Sequence, residues 1–271
     1  MNPPIVIAAF GTTSRARSVY EQADRQLKAR FKGHEIHWAF TSRIVRSHMK
    51  KRRIDTKPPQ AVIEALAGLG HPWAVVQSFH MMCGHEFHRL VHEVQNTHCR
   101  VSVGHSLLCS QHDHETVAQA LAPVFAKNAQ EAVVLVGHGT DHCIWTVYTA
   151  FYQRLRQVYG KRAFGGMVEE DYPGRDRLIE RIKAAGFRRV RLVPFMLVAG
   201  VHFEEDLAGP EDSWKSAFEA RELEVVLETE GLGARKAIID LFGDHIHSAL
   251  SVIPESVTLT PTPRQYAGGL Q

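Results

Sequence analysis

Along the chain, short runs of apolar and β-branched residues alternate with longer stretches whose apolar positions recur every three or four residues. The short runs are Ile5–Phe10, Ile36–Ala39, Ala74–Phe79 and Val101–Gly104, then Ala132–Val136, Phe164–Val168, Val190–Phe195 and Val225–Leu227. The helical spacing covers 15–31, 58–69, 85–95, 113–127, 142–159, 174–185, 212–220 and 234–250. Strands alternating with helices predict parallel β-α-β units. Strands in this number close into one barrel or divide into two open four-stranded sheets.

An internal echo favours two sheets. The third run leads into Phe79-His80-Met81-Met82-Cys83-Gly84-His85-Glu86, and the seventh into Phe195-Met196-Leu197-Val198-Ala199-Gly200-Val201-His202. Each has a phenylalanine at the strand end, then an apolar loop, a glycine and histidine-containing polar residues. The expected organisation is an N-terminal α/β lobe over 1–128, a C-terminal α/β lobe over 129–252, and an extended or disordered tail over 253–271, with a ligand cleft between the lobes.

Composition narrows the class. Apolar residues make up 44% of the 271 positions, with no uninterrupted apolar run of membrane-spanning length, so a soluble protein is expected. No secretory signal is read at the N-terminus, and the four cysteines form no CxxC pair. Reduced thiols and a cytoplasmic location are the expectation. The net charge of +3 hides an uneven distribution. The first 53 residues carry 12 Lys/Arg against Glu21, Asp24 and Glu35, a local +9 that leaves about −6 for the rest. A basic first quarter suits an anionic partner. Nucleic acid is one candidate, but no nucleic-acid motif accompanies the basic residues, and a polycarboxylate or phosphorylated small molecule fits equally well.

The chemistry concentrates beyond strand ends in the second half. His138 stands between two glycines where Ala132–Val136 gives out. Glu170 follows the sixth run, and His202 the seventh. Carboxyl ends of parallel strands are where open α/β sheets bind ligands. Two imidazoles and a carboxylate suit a borderline divalent cation such as Co2+, Fe2+, Ni2+ or Zn2+, with coordination positions left for exchange. Glu169 offers a second register for the acid, and acids here also suit a helix start.

These segments resemble the anaerobic sirohydrochlorin cobaltochelatases, within the class II tetrapyrrole chelatases. The matching stretches are Phe10-Gly11-Thr12, Ala39-Phe40-Thr41-Ser42, Gln77-Ser78-Phe79-His80, Gly137-His138-Gly139, Glu170-Asp171-Tyr172-Pro173, Leu197-Val198-Ala199-Gly200-Val201-His202, Asp212-Ser213-Trp214-Lys215 and Gly231-Leu232-Gly233. The resemblance implies a chelatase fold of two flavodoxin-like lobes and a metal site at His138, Glu170 and His202. It implies insertion of Co2+ into sirohydrochlorin or a close precorrin, with release of two protons, in the anaerobic cobalamin pathway. No P-loop signature is present, so no nucleotide is expected. His138 would serve as ligand and proton acceptor, and Glu170 would relay protons. Thr12, Thr13, Arg15, Ser42, Arg46 and His80 are the candidate substrate contacts, His80 being equally readable as a packed side chain. Lys50–Arg53 read as a solvated helix face. The expected partner is a sirohydrochlorin-type tetrapyrrole, with no nucleic acid, no membrane and a possible homo-oligomer. Insertion of Fe2+ or Ni2+, or a non-catalytic metal or haem carrier, are the alternatives.

A histidine-rich middle motivates the carrier reading. His80, His85, His88, His92, His98, His105, His112 and His114 fall within 35 residues. His85, His88 and His92 share one helical face, which either binds metal or haem or is merely solvated. Cys83 and Cys143 read as packed thiols, and Phe151, Tyr152, Leu155 and Val158 as core.

Overall fold

The computed structural model describes residues 2–12, 18–169, 174–200 and 203–253. Thr13, Arg15, Glu170, His202 and the tail beyond 253 lie outside the described residues. The first sheet contains β1 (Ile5–Ala9), β2 (Ile36–Phe40), β3 (Trp73–Phe79) and β4 (Arg100–Gly104), in the order β2-β1-β3-β4. The second contains β5 (Ala132–Gly137), β6 (Ala163–Met167), β7 (Arg189–Pro194) and β8 (Glu224–Leu227), in the order β6-β5-β7-β8. Every pairing is parallel. The barrel alternative is therefore excluded. In each sheet the chain first steps to one side and then to the other, which opens a crevice above the first and third strands of that sheet.

The central strands are buried on both faces, which is why they read as unbroken apolar runs. Pleating sorts their side chains into different cores. Ile5, Ile7 and Ala9 share one apolar core with Val133, Leu135 and Val193, so the inner faces of both sheets belong to a single packed interior. Val6 and Ala8 face a second cluster with Val62, Ile63 and Leu90, while Val134 and Val136 face a third with Leu178, Ile179 and Phe218.

The helices are α1 (Ser18–Arg30), α2 (Arg43–Lys51), α3 (Pro59–Gly68), α4 (His85–Val94), α5 (Gln111–Ala120), α6 (Ala122–Ala126), α7 (Thr146–Tyr159), α8 (Arg175–Ala184), α9 (Trp214–Glu219) and α10 (Lys236–Ser251). None is long and apolar enough to cross a membrane. Three features differ from the sequence reading. Helix α2 has no counterpart in it, because it is only nine residues long, buries only Met49, and its few apolar positions are outnumbered by basic ones. Its start is set by Ser42, whose hydroxyl accepts the Val45 N–H at 3.2 Å, and its basic last turn complements the helix dipole. The stretch expected as one helix over 113–127 breaks at Leu121, ahead of Pro123, which has no N–H to continue the ladder. Val158, expected in the core, is 49% exposed, whereas Phe151 and Leu155 are fully buried.

Helix α10 belongs to the second half of the chain but packs on the first sheet. Phe242 lies 4.4 Å from Phe79 between ring centroids, and Ser102 Oγ donates to Ala249 O at 2.7 Å. Gly243 leaves the room that the Arg30 guanidinium fills, as an added Cβ there would collide with it. The two lobes are thus fastened by a helix of the second half laid on the first sheet, as well as by the chain crossing between them.

Candidate functional site

The ends of β5 and β6 build the most chemically capable corner. Two backbone bonds extend the pairing beyond the strands: Val168 N–H donates to Gly137 O at 2.9 Å, and Glu169 N–H to His138 O at 2.8 Å. This pairing draws Glu169 alongside His138, and its Oε2 lies 3.5 Å from His138 Nδ1. The same Nδ1 lies 3.2 Å from Gly139 O. The His138 side chain is 39% exposed and that of Glu169 58%, so this corner is open to an incoming ligand.

The flanking glycines are dictated by close approach. Gly139 has φ +94°, and a Cβ there would collide with the Glu169 carbonyl. A Cβ at Gly137 would strike the Tyr148 ring. The Tyr148 hydroxyl accepts the Gly139 N–H at 3.3 Å, and burial raises its pKa, so it stays protonated. The His138 backbone therefore rests on a packed tyrosine.

The loop after β7 is held from below. Phe195 N–H donates to Val136 O at 2.8 Å, Leu232 N–H to Met196 O at 2.7 Å, and Gly233 N–H to Leu197 O at 2.9 Å. Gly231 and Gly233 lie against the Leu197 carbonyl with no space for a side chain, which explains the Gly231-Leu232-Gly233 motif as a support. Ser213 caps α9 by a reciprocal pair with Ser216, so Asp212-Ser213-Trp214-Lys215 is also structural. Among the described residues no three His, Cys, Asp or Glu side chains surround a common point as a ready metal cage. Of the expected ligand trio only His138 is described.

Across from this corner stand the ends of the first sheet. Phe10 is half exposed beyond β1, while Thr12 is buried. Gly11, at φ +100°, gives way to Val45 of α2. Ser42 is buried and capping α2. Thr41 is also buried, and its hydroxyl donates to Glu86 Oε2 at 2.8 Å. Arg46 is part-buried, with Nε 3.4 Å from Ser42 O. Arg43, Lys50, Lys51, Arg52 and Arg53 are exposed.

His80 is buried at the end of β3. Its Nδ1 lies 2.9 Å from Ser78 Oγ, which in turn lies 2.8 Å from Ser106 Oγ. Nε2 is buried and finds no hydrogen-bond partner among the described residues. Desolvation lowers its pKa to about 4, so the ring is neutral at pH 7.

Part of the histidine-rich face reaches the second lobe. His85 Nε2 lies 2.7 Å from Asp141 Oδ1, and the His142 ring packs edge-on against His85 and His88 at 4.8 and 5.0 Å. The hydrogen bond from His85 lowers the Asp141 pKa. His92 is exposed on the same helix and takes no part in these ring contacts. Cys143, expected as a packed thiol, is exposed, because it lies in the single 3-10 turn before α7. No spacing rule in the sequence pairs His85 with Asp141, since the contact joins different lobes.

The family model described as cobalt chelatase (CbiK) matches residues 4–251. A sirohydrochlorin cobaltochelatase of Salmonella typhimurium is 32% identical over 264 residues, covering 94% of this chain and 99% of that protein. The sirohydrochlorin cobaltochelatase CbiKC of Nitratidesulfovibrio vulgaris is 31% identical, covering 93% and 92%. Among solved structures, SirB from Bacillus subtilis with Fe3+ superposes with a TM-score of 0.68 at 14% identity, over 93% of this chain and 96% of that one. At that identity the likeness concerns the fold.

Proposed function

Since the chain belongs to the cobalt chelatase (CbiK) family, we propose that it inserts Co2+ into sirohydrochlorin, the macrocycle losing two pyrrole protons as the cation enters. His138 carries this reading within the chain: an accessible imidazole on a rigid strand end, with a carboxylate 3.5 Å away. In this reading the cation is substrate, held by His138, Glu170 and His202 and then surrendered to the pyrrole nitrogens. Three donors leave positions open, whereas a closed cage would retain the metal.

His138 also accepts a pyrrole proton, as a neutral imidazole can near pH 7. Glu170 offsets the cation's charge and passes protons to water in this reading. In this reading Thr12, Thr13, Arg15, Ser42, Arg46 and His80 are the tetrapyrrole contacts, and the exposed basic residues of α2 attract the polycarboxylated pigment from solution. The reaction needs no nucleotide, because the macrocycle's own nitrogens supply the driving force for capture. Fe2+ and Ni2+ compete as first-row cations of similar ligand preference.

The test is anaerobic turnover of sirohydrochlorin by the purified protein, followed by its absorbance, with Co2+, Fe2+ and Ni2+ at controlled free concentrations. Acceleration with Co2+ above the uncatalysed rate, lost in a folded His138→Ala variant, supports the reading. A fully active His138→Ala overturns the site.

A further inference from the structure

Cys83 and Cys109 lie in the loops that follow β3 and β4, and their sulfurs are 3.1 Å apart. This is about 1 Å beyond a disulfide bond length. The two loops are already joined by backbone bonds from Leu107 N–H to His80 O and from Leu108 N–H to Met81 O, each 2.9 Å. Asp113 Oδ2 holds the Cys109 N–H at 2.9 Å, so neither cysteine sits on a wandering segment. Cys109 is exposed and Cys83 part-buried, which gives a small reagent access. Neither sulfur has a part in metal insertion as proposed above.

We infer that Cys83 and Cys109 form a reversible dithiol–disulfide site that reacts by exchange with low-molecular-weight disulfides. The two thiols are unequal. The contact between the two sulfurs lowers the pKa of the Cys83 thiol, against the effect of burial, and raises that of Cys109. Cys83 is therefore the nucleophile and Cys109 the resolving thiol. The Cys83 thiolate attacks one sulfur of the oxidant, forming a mixed disulfide as the oxidant's S–S bond breaks and its first thiolate leaves. Cys109 gives up its proton to that thiolate, attacks Cys83 Sγ and expels the second thiolate, which takes a proton from water. Two electrons pass from the cysteine pair to the oxidant, which is reduced to two thiols.

The bond would staple a loop with a reach across the molecule. Gly84 follows Cys83 and lies against Ile144 of the second lobe, and His85 follows with its bond to Asp141.

The experiment uses the full chain with no metal or pigment, so it stands apart from the chelatase reading. The protein is equilibrated with mixtures of oxidised and reduced glutathione, quenched in acid and digested without reduction for mass spectrometry. The expected result is a Cys83–Cys109 cross-linked peptide, reversed by dithiothreitol, with Cys99 and Cys143 outside it. Cys109→Ser should stop at a Cys83–glutathione mixed disulfide. Iodoacetamide at pH 7 should modify Cys83 a few-fold faster than Cys143, the gain in thiolate fraction being partly offset by lower intrinsic nucleophilicity. Absence of the cross-linked peptide, or equal alkylation of Cys83 and Cys143, overturns the inference.

Discussion

Glu169 Oε2 stands 3.5 Å from His138 Nδ1 because the backbone pairing of β5 with β6 continues past both strand ends. Glu169 borders the imidazole, and Glu170 is the proposed ligand. Glu170→Gln should lower the insertion rate by about 100-fold or more, and His138→Ala by a similar factor. Glu169→Gln should cost no more than about tenfold. Steady-state rates of all three variants decide it, and a reversed order of the two glutamates moves the ligand role to Glu169.

His80 predicts how stability responds to acid. Its pKa is about 4 in the folded protein, below the usual value of 6.5. The unfolded chain therefore binds the proton more readily between those values. The stability this contributes is fully present above pH 6.5 and is lost as the pH falls through 4. Across that window the wild type should lose up to about 3 kcal/mol more than His80→Gln. Urea denaturation at a series of pH values measures this, and parallel curves for the two proteins would refute it.

Gly139 makes a backbone prediction. Its φ of +94° and the Glu169 carbonyl against it leave no place for a methyl group. Gly139→Ala should destabilise the protein by about 1–3 kcal/mol and displace His138 from Glu169. Calorimetry reads the first effect. Turnover below the lowered melting temperature reads the second, and wild-type values in both would contradict the geometry.

The basic residues of α2 make an electrostatic prediction. Arg43 and Lys50 are exposed and Arg46 part-buried. Replacing all three with alanine should raise KM for sirohydrochlorin roughly tenfold at low salt, with kcat little changed. The difference should shrink at high ionic strength as screening removes the attraction. A salt-independent loss of kcat would instead mean that the substitutions disturb the site itself.

The strands were legible because parallel strands buried on both faces must be apolar throughout, as Ala132–Gly137 is. His138 was legible because a titratable side chain between glycines interrupts that run. Helix α2 was hidden because it is only nine residues long and buries only Met49, its few apolar positions being outnumbered by basic ones. The burial of His80, the His85–Asp141 bond and the Cys83–Cys109 contact were hidden for another reason. Each joins elements whose proximity is absent from local sequence.

By itself the sequence determined the alternation of eight strands with helices, the place of His138 just beyond β5, and the family signature. Those follow from side-chain polarity repeating with the period of each element. Only the tertiary structure decided that α10 completes the opposite lobe and that Glu169 flanks His138. It also decided that His80 is held neutral by burial. These depend on which surfaces exclude water together, a property of the packed molecule and not of any local segment.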